Sequence, residues 1–211
     1  TKFLSYYILL NELKKQYLSR GLYGAQITTT ITPIERNRVN VTFAVDEGDV
    51  AKIAQINIIG NKAFSDGELK EMLTLSTPTW FSWYSKADQY SKQKLSGDVE
   101  TIRSFYQNRG YLEMQVTSTQ ISITPDKKQV YITVNIDEGD KYKVTDVKIE
   151  GETFGREAEL ASLMLLRKNE TYNAGLLTAS TKRISDRMGN FGYAFANVVA
   201  NPLVDKEKKE V

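Results

Sequence analysis

Carboxylates are the only groups in this sequence whose types and spacing recur in a way that could do chemistry. Asp46-Glu47-Gly48-Asp49 returns as Asp137-Glu138-Gly139-Asp140, and the chain holds neither histidine nor cysteine. That composition excludes Ser-His-Asp and Cys-His nucleophile pairs, ordinary zinc sites and any imidazole base at neutral pH. An enzyme built from this chain would run on carboxylates, Lys or Tyr alone, and would need two acids converging in a cleft. The tetrapeptides also lack the alternating oxygen ligands and terminal Glu of a calcium loop. They read as Gly-permitted bends at strand ends with their carboxylates in solvent.

Two other groups could carry contacts rather than reactions. Trp80, Phe81, Trp83 and Tyr84 cluster within a loop over 77–89. The plain expectation is a loop packed on its own domain; the sharper one is an anchor for a membrane interface or a partner. The stretch Gln115, Val116, Thr117, Ser118, Thr119, Gln120, Ile121, Ser122 and Ile123 has strand composition and no Lys, Arg, Asp or Glu. Its apolar residues begin on one parity, Met114 and Val116, and resume on the other, Ile121 and Ile123. A two-residue period cannot place all of them on one face. Either a β-bulge near 117–120 restores the register, or the strand stays regular and shows two apolar side chains outward. Its hairpin partner VYITVNI is the denser apolar run, so 115–123 is predicted at a sheet edge. A neutral edge strand offers unpaired backbone groups to a visiting chain.

These candidates sit on elements that repeat. Apolar residues at helical spacing predict a helix over 3–20, ended by Gly21 as a left-handed C′ residue with Leu22 folding back. Alternation over 25–31 and 39–45 predicts a hairpin, with Pro33 and Asn37 in its turn. The second copy is complete. Ile53, Ile56 and Ile58 mark a short strand, and Ser65 and Glu68 stand at capping-box spacing before a helix of about ten residues. Leu95, Val99, Ile102 and Tyr106 stripe a second helix, Gly110 ends it, and a hairpin follows. The third copy begins alike: Val144, Val147 and Ile149 predict a strand, 157–166 a helix, and Leu177, Ile184, Met188 and Phe191 a second helix. A strand is expected over 194–204, with a polar turn over 205–210. The order in the complete copy is strand, helix, helix, strand, strand.

The fold class predicted is therefore α+β: tandem small β-α-α-β-β repeats, each a three-stranded mixed sheet with two helices on one face. The boundaries fall at 1–49, 50–140 and 141–211. The first copy reads as the C-terminal half of a repeat and the third as a repeat without its last strand. Connections of about six residues leave little slack at the joints. The net charge of +2 shows no concentrated positive face for a nucleic acid. No run reaches the roughly 18 apolar residues of a spanning helix, and the first residues do not read as a signal peptide.

I-x-I-x-G-N at 56–61, N-R-G-Y at 108–111, T-P-D-K-K at 124–128 and V-N-I-x-E-G-D at 134–140 resemble the POTRA domains of outer-membrane β-barrel assembly proteins. The likeness runs over essentially the whole chain, as the end of a second, all of a third and most of a fourth such domain. It implies a non-enzymatic scaffold without cofactor or metal, at the periplasmic face of a bacterial outer membrane. Accessory lipoproteins, with BamB at the middle repeat and the BamD complex, and nascent outer-membrane proteins are the partners it implies. Strand addition at Gln115 to Ile123 is the binding mode. A POTRA array of a different secretion or translocation transporter is the other reading.

Overall fold

The computed structural model describes every residue except Thr1, Asn37, Phe81, Ala194 and Phe195, and every side chain except theirs and those of residues 2–5, 82 and 83. The chain opens with helix α1, Lys2–Ser19. It ends as its sequence requires, with Gly21 N–H donating to the Leu18 carbonyl at 3.0 Å and Leu22 N–H to the Tyr17 carbonyl at 3.1 Å. Strands β1 (Gln26–Ile34) and β2 (Arg38–Asp46) follow. They pair antiparallel from Gln26 with Asp46 to Ile34 with Arg38. Pro33 therefore lies inside β1 opposite Val39, not in the turn. A two-stranded ribbon tolerates it because each strand has an unladdered side on which a missing N–H costs nothing. Asn37, expected in that turn, lies outside the described residues.

The middle repeat runs β3 (Lys52–Ile59), α2 (Asp66–Glu71), α3 (Ser82–Ser85), α4 (Lys92–Gln107), β4 (Gln115–Ile123) and β5 (Gln129–Asp137). Its sheet has the order β3-β5-β4. The strand with the densest apolar run takes the centre: Val130, Ile132, Val134 and Ile136 of β5 are all buried. Strand β3 buries Ile53, Ile56 and Ile58, so its inward parity switches between the first two. At the end of β3 the chain passes so close to β5 that a Cβ on Gly60 would meet the Ile136 carbonyl oxygen at 2.1 Å, and Gly60 has φ +101°. Only glycine fits there.

Helix α2 is six residues long, shorter than its apolar spacing predicts. Its continuation is diverted by a carboxylate on α4: buried Asp98 accepts from Thr74 N–H at 2.7 Å, Thr74 Oγ1 at 2.8 Å and Leu75 N–H at 2.9 Å. Amides claimed by a carboxylate no longer serve the helix ladder.

In the third repeat α5 (Glu157–Ser162) and α6 (Ala174–Asn190) form where helices are expected, α5 again shorter. Asn173 caps α6, its side chain accepting from Leu176 N–H. The strands expected over 144–149 and 194–204 do not form among the described residues; 143–149 makes only isolated bridges, from Lys143 to Thr171 and Glu210. Asp205 pairs with Glu210 across the expected polar turn. Tyr142, Val144, Leu166 and Tyr172 make one buried cluster, and Leu160, Ile184 and Met188 another.

The residues group into two compact units. Thr1–Ile59, Asp66–Val99 and Ser118–Val134 form the first, and Gly60–Ser65, Glu100–Thr117 and Asn135–Val211 the second. Within each unit the same hydrogen bond joins one repeat to the next: Ala51 N–H donates to the Gly21 carbonyl at 2.9 Å, and Tyr142 N–H to the Gly110 carbonyl at 2.9 Å. A Cβ on Gly110 would come within 2.8 Å of Thr171 Cγ2 and 2.9 Å of Lys141 Cγ. The helix-ending glycine is thus also the point where the next repeat docks. Among the described residues no helix is long and apolar enough to cross a membrane.

Candidate functional site: an exposed edge strand

Three neighbouring elements put β4 where it is. Helix α4 ends at Gly110, where Tyr111 N–H reaches back to the Tyr106 carbonyl at 3.1 Å. Met114, just before the strand, is buried and fixes its start. At the far end Thr124 N–H donates to the Gln129 carbonyl at 3.0 Å, with Lys127 left-handed at φ +59° inside the turn. Asp126 holds that turn by accepting from Thr124 Oγ1 and Lys128 N–H, and these bonds depress its pKa. The strand thus emerges fully formed at the sheet's margin, beside β5.

From Thr117 to Ile123 every side chain is exposed, and Val116 is half-buried. Ile121 and Ile123 are 38% and 39% exposed, so the second parity of apolar residues faces outward. A strand bonded on one side directs alternate N–H and C=O groups away from its neighbour. No side-chain charge lies along β4 to repel a second strand. Strand β1 shares this neutral composition, but Pro33 breaks its row of donors.

The acidic tetrapeptides behave differently from expectation. Glu138 is buried at 8% exposure. One of its oxygens, Oε1, accepts from Lys62 N–H at 2.8 Å, Ala63 N–H at 2.9 Å and Tyr106 Oη at 2.7 Å. It pins the end of β5 to the loop after β3 and to α4. Asp137 and Asp46 fold back onto the amides of Gly139 and Gly48, and Asp140 pairs with Lys209 at 2.6 Å. Glu47 and Asp49 remain exposed surface carboxylates, as expected. Among the described residues no three of His, Cys, Asp and Glu group as metal ligands would. Sequence reasoning missed both Glu138 and Asp98, whose roles depend on amides far away along the chain.

The aromatic loop also departs from the packed arrangement: Trp80 is 86% and Tyr84 80% exposed. Phe81 and the Trp83 side chain lie outside the described residues.

The POTRA model, described as a surface antigen variable number repeat, matches residues 9–48, 51–139 and 142–211. The chain belongs to the POTRA family. Among curated relatives, the outer membrane protein assembly factor BamA of Neisseria meningitidis is 35% identical over 200 residues, covering 94% of this chain and 25% of that protein. BamA of Buchnera aphidicola is 29% identical over 205 residues, covering 97% of this chain and 33% of that protein. This POTRA chain thus spans a quarter to a third of those relatives' length. Among solved structures, POTRA domains 3–5 of Haemophilus influenzae BamA superpose with TM-score 0.61 at 25% identity, over 95% of this chain and 75% of that one. The β-α-α-β-β order and mixed sheet of the middle repeat are the POTRA fold.

Proposed function

We propose that this chain is a non-enzymatic scaffold in outer-membrane protein assembly, working at the periplasmic face of the outer membrane. Its POTRA repeats would divide at 1–49, 50–140 and 141–211. The relatives named above, assembly factors by name, support this reading. Strand β4 is the docking element. Accessory lipoproteins, BamB first and the BamD complex with it, and unfolded outer-membrane proteins add to it as a further strand.

The observation that carries the proposal is the neutral, exposed edge from Gln115 to Ile123 beside a buried central strand. Four or five added main-chain hydrogen bonds contribute about 0.5–1.5 kcal/mol each, against the ordering of an extended peptide. The surplus corresponds to dissociation constants on the order of 10 μM to 1 mM. Weak, sequence-tolerant capture of this kind suits a handler of many clients.

Titrating isotope-labelled protein with an extended outer-membrane-protein peptide should shift the amides of Gln115 to Ile123. Changing Ile121 and Ile123 to Lys should weaken both this binding and lipoprotein pull-down by about tenfold, because each adds a charge to the edge. Shifts confined to other residues would remove the assignment.

A further inference from the structure

Between α2 and α4 the chain carries Trp80 and Tyr84 at 86% and 80% exposure. Rings of this size normally dominate a core or an interface, so two of them left in water mark a surface built to be covered. The segment that bears them is not slack. Ser76 N–H donates to the Ala87 carbonyl at 3.0 Å and closes its neck. Ile53 N–H donates to the Asp88 carbonyl at 2.7 Å and Tyr90 N–H to the Ala51 carbonyl at 3.0 Å, which seam the returning limb to the start of β3. Leu75 and Tyr90 are buried at the two ends. The neck is thus fixed on the middle repeat while both rings stay in solvent.

The charge carried by this segment has one sign. From 72 to 97 the sequence holds Lys86, Lys92 and Lys94 and a single carboxylate, Asp88. Asp88 is 2% exposed and pairs with Lys52 at 3.2 Å, so the charges left facing solvent are cationic. Lys86 follows Tyr84 by two residues, and Lys94 Nζ donates to the Lys86 carbonyl at 3.2 Å, bringing a second ammonium to the neck. Amphipathic rings flanked by lysines match the headgroup layer of a bilayer that contains anionic lipid. They match a protein partner less well. Two such rings offer about 300–400 Å2 between them, about half of the roughly 800 Å2 that each member of a stable protein pair buries. A bilayer requires no matching area, because the rings enter it rather than lie against it.

We propose that Trp80 and Tyr84 form a membrane-surface anchor, which lowers its rings to the headgroup level of an anionic phospholipid bilayer while Lys86, Lys92 and Lys94 meet the lipid phosphates. The attachment is weak by itself and strengthens with the anionic content of the bilayer. It uses none of the β4 residues and stands independently of the docking assignment made for that strand.

The chain's two tryptophans are Trp80 and Trp83, so Trp83→Phe leaves Trp80 as the sole indole reporter. With vesicles of phosphatidylethanolamine and phosphatidylglycerol at about three to one, its emission should move to shorter wavelength and be quenched by lipids brominated near the headgroup. In cosedimentation, Trp80→Ala with Tyr84→Ala should lower the partition coefficient by about tenfold. Lys86→Gln with Lys92→Gln and Lys94→Gln should do the same on these vesicles and have no effect on phosphatidylcholine ones. Both variants should keep the Tm of the parent protein within about 2 °C, since no buried side chain is changed. The proposal is overturned if Trp80 emission does not move, if either variant binds the anionic vesicles as the parent does, or if the aromatic variant loses a protein partner in pull-down with vesicle binding intact. Titration with an outer-membrane-protein peptide should shift the amides of Gln115 to Ile123 equally in both variants, so the two docking sites succeed or fail separately.

Discussion

Glu138 shows how much one carboxylate can hold. Its Oε1 gathers two amides and a tyrosine hydroxyl at 2.7–2.9 Å while the residue stays 8% exposed. Each unsatisfied buried donor costs about 1–3 kcal/mol, and a charged acceptor raises the figure. Glu138→Ala should destabilise the protein by about 3–5 kcal/mol in urea unfolding, because Lys62 N–H, Ala63 N–H and the Tyr106 hydroxyl lose their acceptor together. Glu138→Gln retains a carbonyl oxygen and should cost less than half of that. Equal losses for the two variants would mean that the charge alone, and not the three-donor geometry, matters. The neighbouring ring cluster adds directional packing: Phe64 meets Tyr106 edge-on at 5.0 Å and Phe105 at 4.8 Å.

At the scale of elements, the middle sheet depends on how closely β3 finishes against β5. Gly60 combines φ +101° with a Cβ position 2.1 Å from a backbone oxygen. Backbone neighbours cannot rotate away as a side chain can, so Gly60→Ala both strains φ and pushes the strand ends apart. A loss of about 3 kcal/mol or more follows. It should be accompanied by faster hydrogen exchange in β5, measured against exchange in α6 as an internal reference. A substitution tolerated within about 0.5 kcal/mol would show that the approach is not required. Strand β4 depends on this indirectly, because among the described residues its sheet neighbour is β5.

At the scale of the whole molecule, the joint between the middle and third repeats is a polar network rather than a linker. Glu113 accepts from Tyr142 Oη at 2.7 Å and pairs with Lys206 at 2.6 Å. These partners, Lys206 first, depress the Glu113 pKa; the bond to Glu113 in turn raises Tyr142 to about 12 and lifts Lys206 above its ordinary value. A depressed carboxylate stabilises the fold above its unfolded pKa and loses that contribution as pH falls through the folded one. Raised Tyr and Lys groups stabilise it below their unfolded values and lose that contribution as pH rises past the folded ones. The joint should therefore be strongest between about pH 5 and pH 10 and weaken on both sides. Thermal melts of Glu113→Gln should show a lower Tm at pH 7 and a flatter acid limb between about pH 5 and pH 3. An unchanged acid limb would rule out Glu113 as the titrating group.

The amino-acid pattern by itself determined what depends on neighbours in sequence. Helical spacing located α1, α4 and α6; the ending of α1 at Gly21 and the helix-closing Gly110 followed from local backbone freedom; and the apolar density of VYITVNI placed β5 inside and β4 at the margin. These are short-range or periodic properties, and one chain carries them in full. Tertiary structure decided what depends on partners distant along the chain. Asp98 shortened α2 by taking its amides, Glu138 became a buried clasp instead of a surface acid, and Pro33 entered β1 because a two-stranded ribbon leaves one side free. Among the described residues the strands expected in the third repeat do not form, and 143–149 makes isolated bridges. A strand exists only when its hydrogen bonds are met across a sheet, and no alternation of apolar residues can supply the neighbour that meets them.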